Sequence, residues 1–196
     1  MIISINPDNP QQRLINMVCE TLDNGGLIAY PTDTFYGMGC DLYNKKGIQR
    51  IYLLKNRPLK QPFSIICNSL KGISQYAKVS DFAYKTMKRL LPGPYTFLLE
   101  GTRLVPHIML TKRKTVGIRV PANNICLAIV ETLGRPIITT SAIHEEPHTI
   151  KEAYGSSLDL IIDGGALKPE PSSVISLIDD FPEVIREGKG DISLFR

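Results

Sequence analysis

The stretch Leu27-Ile-Ala-Tyr-Pro-Thr-Asp-Thr-Phe-Tyr-Gly-Met-Gly39 does most to limit what this 196-residue chain can fold into. Leu27 to Tyr30 reads as a short buried strand that stops at Pro31. Hydroxyls, a carboxylate and two glycines follow before a helical pattern resumes near Lys45. Polar groups are thus delivered at the carboxyl end of a buried strand, the edge where open α/β sheets bind ligands. A connecting loop would use the same Gly, Pro and Thr residues, so the surrounding pattern has to decide.

That pattern alternates strands with helices. Ile2 to Ile5 reads as an edge strand, and Gln11 to Asp23 as a helix with Leu14, Ile15, Val18, Cys19 and Leu22 on one side, stopped by Asn24-Gly25-Gly26. A helix from Lys45 to Leu54 runs into Lys55-Asn-Arg57-Pro58, where proline opposes helix continuation through Arg57. The spacing then predicts a strand at Phe63 to Cys67, a short helix at residues 70 to 76, and a longer one capped by Ser80 and broken at Pro92-Gly93-Pro94. Strands are expected at Tyr95 to Leu99, Val116 to Val120 and Ile137 to Thr140, with a helix from Asn123 to Leu133 closed by Gly134. A polar loop with His144 and His148, a short helix at Lys151 to Tyr154, and strands at Leu160 to Ile162, Val174 to Leu177 and Val184 to Arg186 complete one α/β domain, residues 1–196, on a twisted mixed sheet.

Several function classes drop out. No 18-residue apolar run and no basic-then-apolar amino terminus are present, so the sequence indicates neither a membrane span nor a signal peptide. The cysteines at 19, 40, 67 and 126 form no CxxC pair and read as buried thiols of a cytoplasmic protein. His107, His144 and His148 are scattered, which argues against a metal centre. Ser141 lacks the GxSxG elbow of an acyl-transfer nucleophile, and neither a GxxxxGK[ST] loop nor GxGxxG occurs. Any bound nucleotide must therefore be held by side chains and strand-end amides.

Charge supplies candidates. The net charge is only +4, yet Lys45 to Arg119 contains 16 Lys or Arg against Asp81 and Glu100, a local +14 that leaves −10 elsewhere. Such polarity suits a polyanion, either nucleotide phosphates or a nucleic acid backbone, though a solvated basic face would read the same way. Lys55 and Arg57 offer a point charge and a bidentate fork near a proline-enforced turn, with Gln61 close behind. Thr115, Arg119, Thr139, Ser141, Ser172 and Arg186 lie at or near predicted strands or their ends, where one rim could gather them.

Taken in order, YPTDTFYG, KNRP, PGPYTF, TVGIRVP, TTSA, DLIIDGG, PSSVISL and REG resemble the YrdC/YciO family of threonylcarbamoyl-AMP synthases, with wording nearer the YciO branch, over about Pro7 to Gly188. The resemblance implies a twisted open α/β sheet around a large basic concave cavity. It also implies condensation of L-threonine, bicarbonate and ATP, with Mg²⁺, to L-threonylcarbamoyl-AMP and pyrophosphate. A partner transferase would then modify adenosine 37 of tRNA. On matching positions, Lys55, Arg57, Thr115, Ser141 and Arg186 would surround ATP, with Gln61 standing where the synthases have Asn. Lys55, Arg57 and Ser141 would carry the chemistry. Thr34, Arg119, Thr139 and Ser172 would contact threonine, Arg119 pairing with its carboxylate. Two positions depart from the synthases: Ile143 replaces an amide and Ile66 a histidine. Those losses leave open a double-stranded RNA- or tRNA-binding protein without chemistry, or a different carbamoyl or acyl donor.

Overall fold

The computed structural model describes residues 1–58 and 61–195. Its strands are β1 (Ile2–Ser4), β2 (Ile28–Tyr30), β3 (Gly37–Gly39), β4 (Ser64–Ile66), β5 (Tyr95–Glu100), β6 (Thr115–Arg119), β7 (Ile137–Ser141), β8 (Leu160–Asp163), β9 (Ser173–Ser176) and β10 (Glu183–Arg186). They form one mixed sheet in the order β1-β8-β2-β3-β7-β4-β6-β5-β9-β10. The helices are α1 (Gln12–Asp23), α2 (Lys45–Leu54), α3 (Leu70–Tyr76), α4 (Asp81–Leu90), α5 (Asn124–Leu133) and α6 (Pro147–Tyr154). Among the described residues no helix is long and apolar enough to cross a membrane.

Capping explains several boundaries. The side chains of Asn44, Ser69, Ser80 and Asn123 each accept the backbone N–H three residues on, satisfying a donor that a first helical turn leaves unpaired. Gly134 ends α5 at φ 71°, a conformation only glycine adopts without a Cβ penalty.

Two expectations need correction. The glycine pair after Phe35 is not loop but β3, antiparallel to β2 on one side and β7 on the other. A Cβ on Gly39 would stand 2.0 Å from the Ile138 carbonyl oxygen, and one on Gly37 would meet the Tyr30 ring at 2.8 Å. Close neighbours, not turn chemistry, therefore account for these glycines. The last helix begins at Pro147 rather than Lys151, with proline at its first turn, so His148 is helical.

The two faces of the sheet are treated differently. On one, Ala29, Met38, Ile65, Phe97, Leu99, Ile118, Ile138 and Ile175 pack with Ile48 and Ile51 of α2, Ile73 of α3, Ala83 and Met87 of α4 and Ile150 of α6 in one continuous core. On the other, Ile28, Tyr30, Ile66, Ile137, Leu160 and Ile162 pack only against α1 and α5. Beyond those two helices this second face turns from apolar to hydroxyl-bearing and basic. Ile137 gives way to Thr139 and Ser141 along β7, and Ile66 lies in register with Arg119 of β6. The same strands thus serve as core at one end and as a concave surface at the other.

Candidate functional site

The uncovered part of the sheet holds a cavity of about 250 Å³. Because strand side chains alternate, Thr96 and Leu98 of β5, Gly117 and Arg119 of β6, Ser64 of β4 and Thr139 and Ser141 of β7 share this face. Arg57, Arg119 and Arg186 line the cavity together with Ser64, Thr96, Thr139, Ser141 and Ser172, and no carboxylate is among the described lining residues. Gly117 leaves room between two of these lining residues: a Cβ there would come within 2.6 Å of Ser64 Oγ and 3.3 Å of Thr96 Cγ2.

Arg186 reaches the cavity through a bulge. Val184 packs against the covered core while Arg186, two residues on, lines the opposite face, which regular alternation forbids. The pairing of β10 with β9 shifts between Val184 and Arg186, turning the arginine over. Its Nε and Nη2 donate to the Ser172 carbonyl oxygen at 3.1 and 2.7 Å, and Ser172 Oγ lies 2.9 Å from Thr96 Oγ1. Partial burial, and then the Arg119 charge, lowers the Arg186 pKa from its ordinary value.

Arg57 stands over the Phe63 ring, its carbon Cζ 5.0 Å from the centroid, and donates to the Pro62 carbonyl at 3.3 Å. Its Nε is buried with no partner among the described residues. Lys55 does not line the cavity. Its ammonium donates to the Ser141 carbonyl oxygen at 2.9 Å and lies 3.5 Å from the Tyr154 hydroxyl, so it clamps the strand end that presents Ser141. Half-burial and then the neighbouring Arg57 charge depress its pKa, a cost that an anion within reach would relieve.

The structure brings together Arg57, Ser141, Arg186, Arg119, Thr139 and Ser172. It separates four other sequence candidates from the lining. Besides Lys55, Thr34 is 2 % exposed beneath the cavity, where its hydroxyl accepts from Arg119. Thr115 lines a neighbouring hollow of about 570 Å³ with Leu98, Phe181 and Ile185. Gln61 is exposed, and its backbone N–H donates to the Pro58 carbonyl at 3.0 Å. Residues 59 and 60, next to it, lie outside the described part.

Asp33 is the residue that the sequence reading missed. Arg119 Nη2 donates to Asp33 Oδ1 at 2.7 Å, with side-chain exposures of 8 % and 7 %. The only signal was an ionisable group at a strand end, which turn residues imitate. The basic run is likewise dispersed: Lys85, Lys88 and Arg89 stand exposed on α4, which packs on the covered face.

Of the two substituted positions, Ile66 is fully buried under α1 and α5. Ile143 is 65 % exposed at φ 60°. That left-handed conformation costs an L-residue about 1–2 kcal/mol and suits asparagine better than a β-branched side chain. Ile143→Asn is therefore expected to raise the melting temperature by about 2–4 °C, measured by calorimetry. An unchanged or lower value would show that the loop relaxes without cost.

Comparison with known proteins agrees with this fold. The family model Sua5_yciO_yrdC, described as telomere recombination, matches residues 20–188. The chain is 44% identical over 199 residues to YciO of Escherichia coli strain K12, covering 97% of each, and its fold superposes on the crystal structure of E. coli YciO with a TM-score of 0.96 at 43% identity, covering 100% of this chain and 99% of that one. It is 32% identical over 182 residues to the threonylcarbamoyl-AMP synthase of Pyrococcus abyssi, covering 89% of this chain and 54% of that protein. P. abyssi Sua5 complexed with L-threonine matches with a TM-score of 0.88 at 30% identity, over 96% of this chain and 57% of that one.

Proposed function

The chain belongs to the Sua5/YciO/YrdC family, and from that premise we propose that it is an ATP-dependent enzyme that converts L-threonine, bicarbonate and ATP to L-threonylcarbamoyl-AMP and pyrophosphate, the activated group then serving tRNA modification by a partner transferase. The observation that carries the reading is the meeting of three arginines from three distant segments with six hydroxyl-bearing residues in one cavity free of carboxylates among its described lining. A triphosphate and a carboxylate both call for such a set.

Each residue has work to do in that reaction. Arg57 and Arg186 take the phosphates, and Lys55 completes the cationic edge by leaving its carbonyl partner for an anion. N-carboxythreonine, formed from threonine and bicarbonate with loss of water, attacks the α-phosphorus and breaks the bond to the β-phosphate, and the growing pyrophosphate charge is met by groups already in place. Ser141 donates its hydroxyl to a phosphate oxygen. Thr139 and Ser172 hold the amino acid and Arg119 its carboxylate. The nucleoside end extends towards Thr115 in the neighbouring hollow, where Leu98, Phe181 and Ile185 give an apolar wall. Positioning is the main task, so no strong general base is required. Mg²⁺ would screen the departing pyrophosphate. The cavity offers it hydroxyls rather than a carboxylate cluster, so the ion would enter with the nucleotide.

The test is pyrophosphate release from purified protein given ATP, threonine and bicarbonate. Release that requires threonine is expected; none at high enzyme concentration removes the proposed activity.

A further inference from the structure

We propose that Asp33 is a positioning residue, which grips the Arg119 guanidinium by a single nitrogen and so presents the rest of that group to a carboxylate in the cavity. The inference rests on the reading above, in which an amino acid occupies this end of the site.

Arg119 Nη2 takes two acceptors at once, Asp33 Oδ1 at 2.7 Å and Thr34 Oγ1 at 2.9 Å. Its Nε is buried and has no partner among the described residues, although Arg119 lines the cavity. A guanidinium this enclosed needs a counter-charge close by, and Asp33 supplies one from outside the cavity lining. A second fixed carboxylate on the cavity side would repel an anionic ligand; Asp33 neutralises Arg119 from the other side.

Asp33 is itself held through its carboxylate, through its backbone carbonyl and through the bracing of its loop. Asp33 Oδ2 accepts the Ala122 N–H at 2.9 Å, in the segment leading from β6 into α5. The Asp33 carbonyl oxygen accepts from Lys189 Nζ at 2.6 Å, which brings in the carboxyl-terminal segment. Thr32 Oγ1 lies 3.1 Å from Thr34 Oγ1 and accepts the Thr34 N–H, so the loop between β2 and β3 is braced from within. Asp33 therefore uses both oxygens, one on Arg119 and one on the backbone. Asparagine has one acceptor oxygen and can serve only one of them.

The experiment uses the full chain and Asp33→Asn. Threonine-dependent pyrophosphate release should show KM for threonine raised about ten- to a hundredfold, with kcat and KM for ATP little changed. The Arg119 Nε–H signal in a nitrogen–proton correlation spectrum, assigned by its loss in Arg119→Lys, should be sharp in the wild type and broadened in Asp33→Asn. A sharp signal in the variant, or an unchanged KM for threonine in an active enzyme, overturns the proposal. A joint rise in both KM values with a lower melting temperature identifies Asp33 as a structural staple instead, and also overturns it. If the wild type releases no pyrophosphate, the function proposed above fails separately, and the Nε–H signal still decides whether Asp33 fixes Arg119.

Discussion

Arg57→Ala is expected to lower kcat/KM for ATP by about two to three orders of magnitude, the scale set by removing one preorganised donor from a developing anion. The side chain is already committed to its position: it lies over Phe63, donates to Pro62, and keeps a buried Nε with no partner among the described residues. A group held this way costs little reorganisation when pyrophosphate charge appears. Arg57→Lys should recover only part of the loss, because an ammonium keeps the charge but not the planar fork. Lys168→Ala, a change at an exposed residue, serves as the control. Steady-state kinetics with a melting curve for each variant separates chemistry from folding. An alanine variant within a few-fold of the wild type would mean that the triphosphate does not lie at Arg57.

Gly117→Val should abolish binding of both substrates while leaving a folded protein. The position is in the middle of β6, flanked in register by Ser64 and Leu98, and a β-branched residue suits a strand. The added Cβ would lie 2.6 Å from Ser64 Oγ and 3.3 Å from Thr96 Cγ2, so both hydroxyl-bearing side chains would be pushed into the cavity they line. Overpacking of this kind costs about 1–3 kcal/mol, a tolerable loss for a domain with two apolar clusters. Thermal-shift titration with an ATP analogue and with threonine reads the outcome. Gly117→Ala should be intermediate, and Ser64→Gly in the valine background should restore part of the binding. Ligand shifts equal to those of the wild type would place the binding site elsewhere.

The sequence made most of the fold legible, and the exceptions have physical causes. Periodicity identifies α1, α2 and α5 because each buries one stripe, the Ser80 cap and the Pro92-Gly93-Pro94 break identify α4, and apolar runs identify the longer strands. β3 escaped because Gly-Met-Gly carries no strand signal; its glycines answer to Tyr30 and Ile138, distant in the chain or across the sheet. The side of the sheet that Arg186 occupies depends on a bulge, which no alternation count at Val184 to Arg186 could reveal. Asp33 was hidden by its position among turn residues, since only the fold brings it against Arg119, 86 positions away. The family resemblance groups Gln61 and Thr115 with Arg57, whereas the fold sends Thr115 to the next hollow and leaves Gln61 exposed. The basic run misled in the same way: a count along the chain cannot tell α4 from the cavity wall.

One helical pair, α1 and α5, roofs its end of the second face of the sheet, and among the described residues no helix roofs the cavity at the other end. A substrate settling there finishes the architecture, acting on Ser64, Thr139 and Arg119 as α5 acts on Ile66 and Ile137. Occupancy and heat resistance in this protein are then one property read with two instruments.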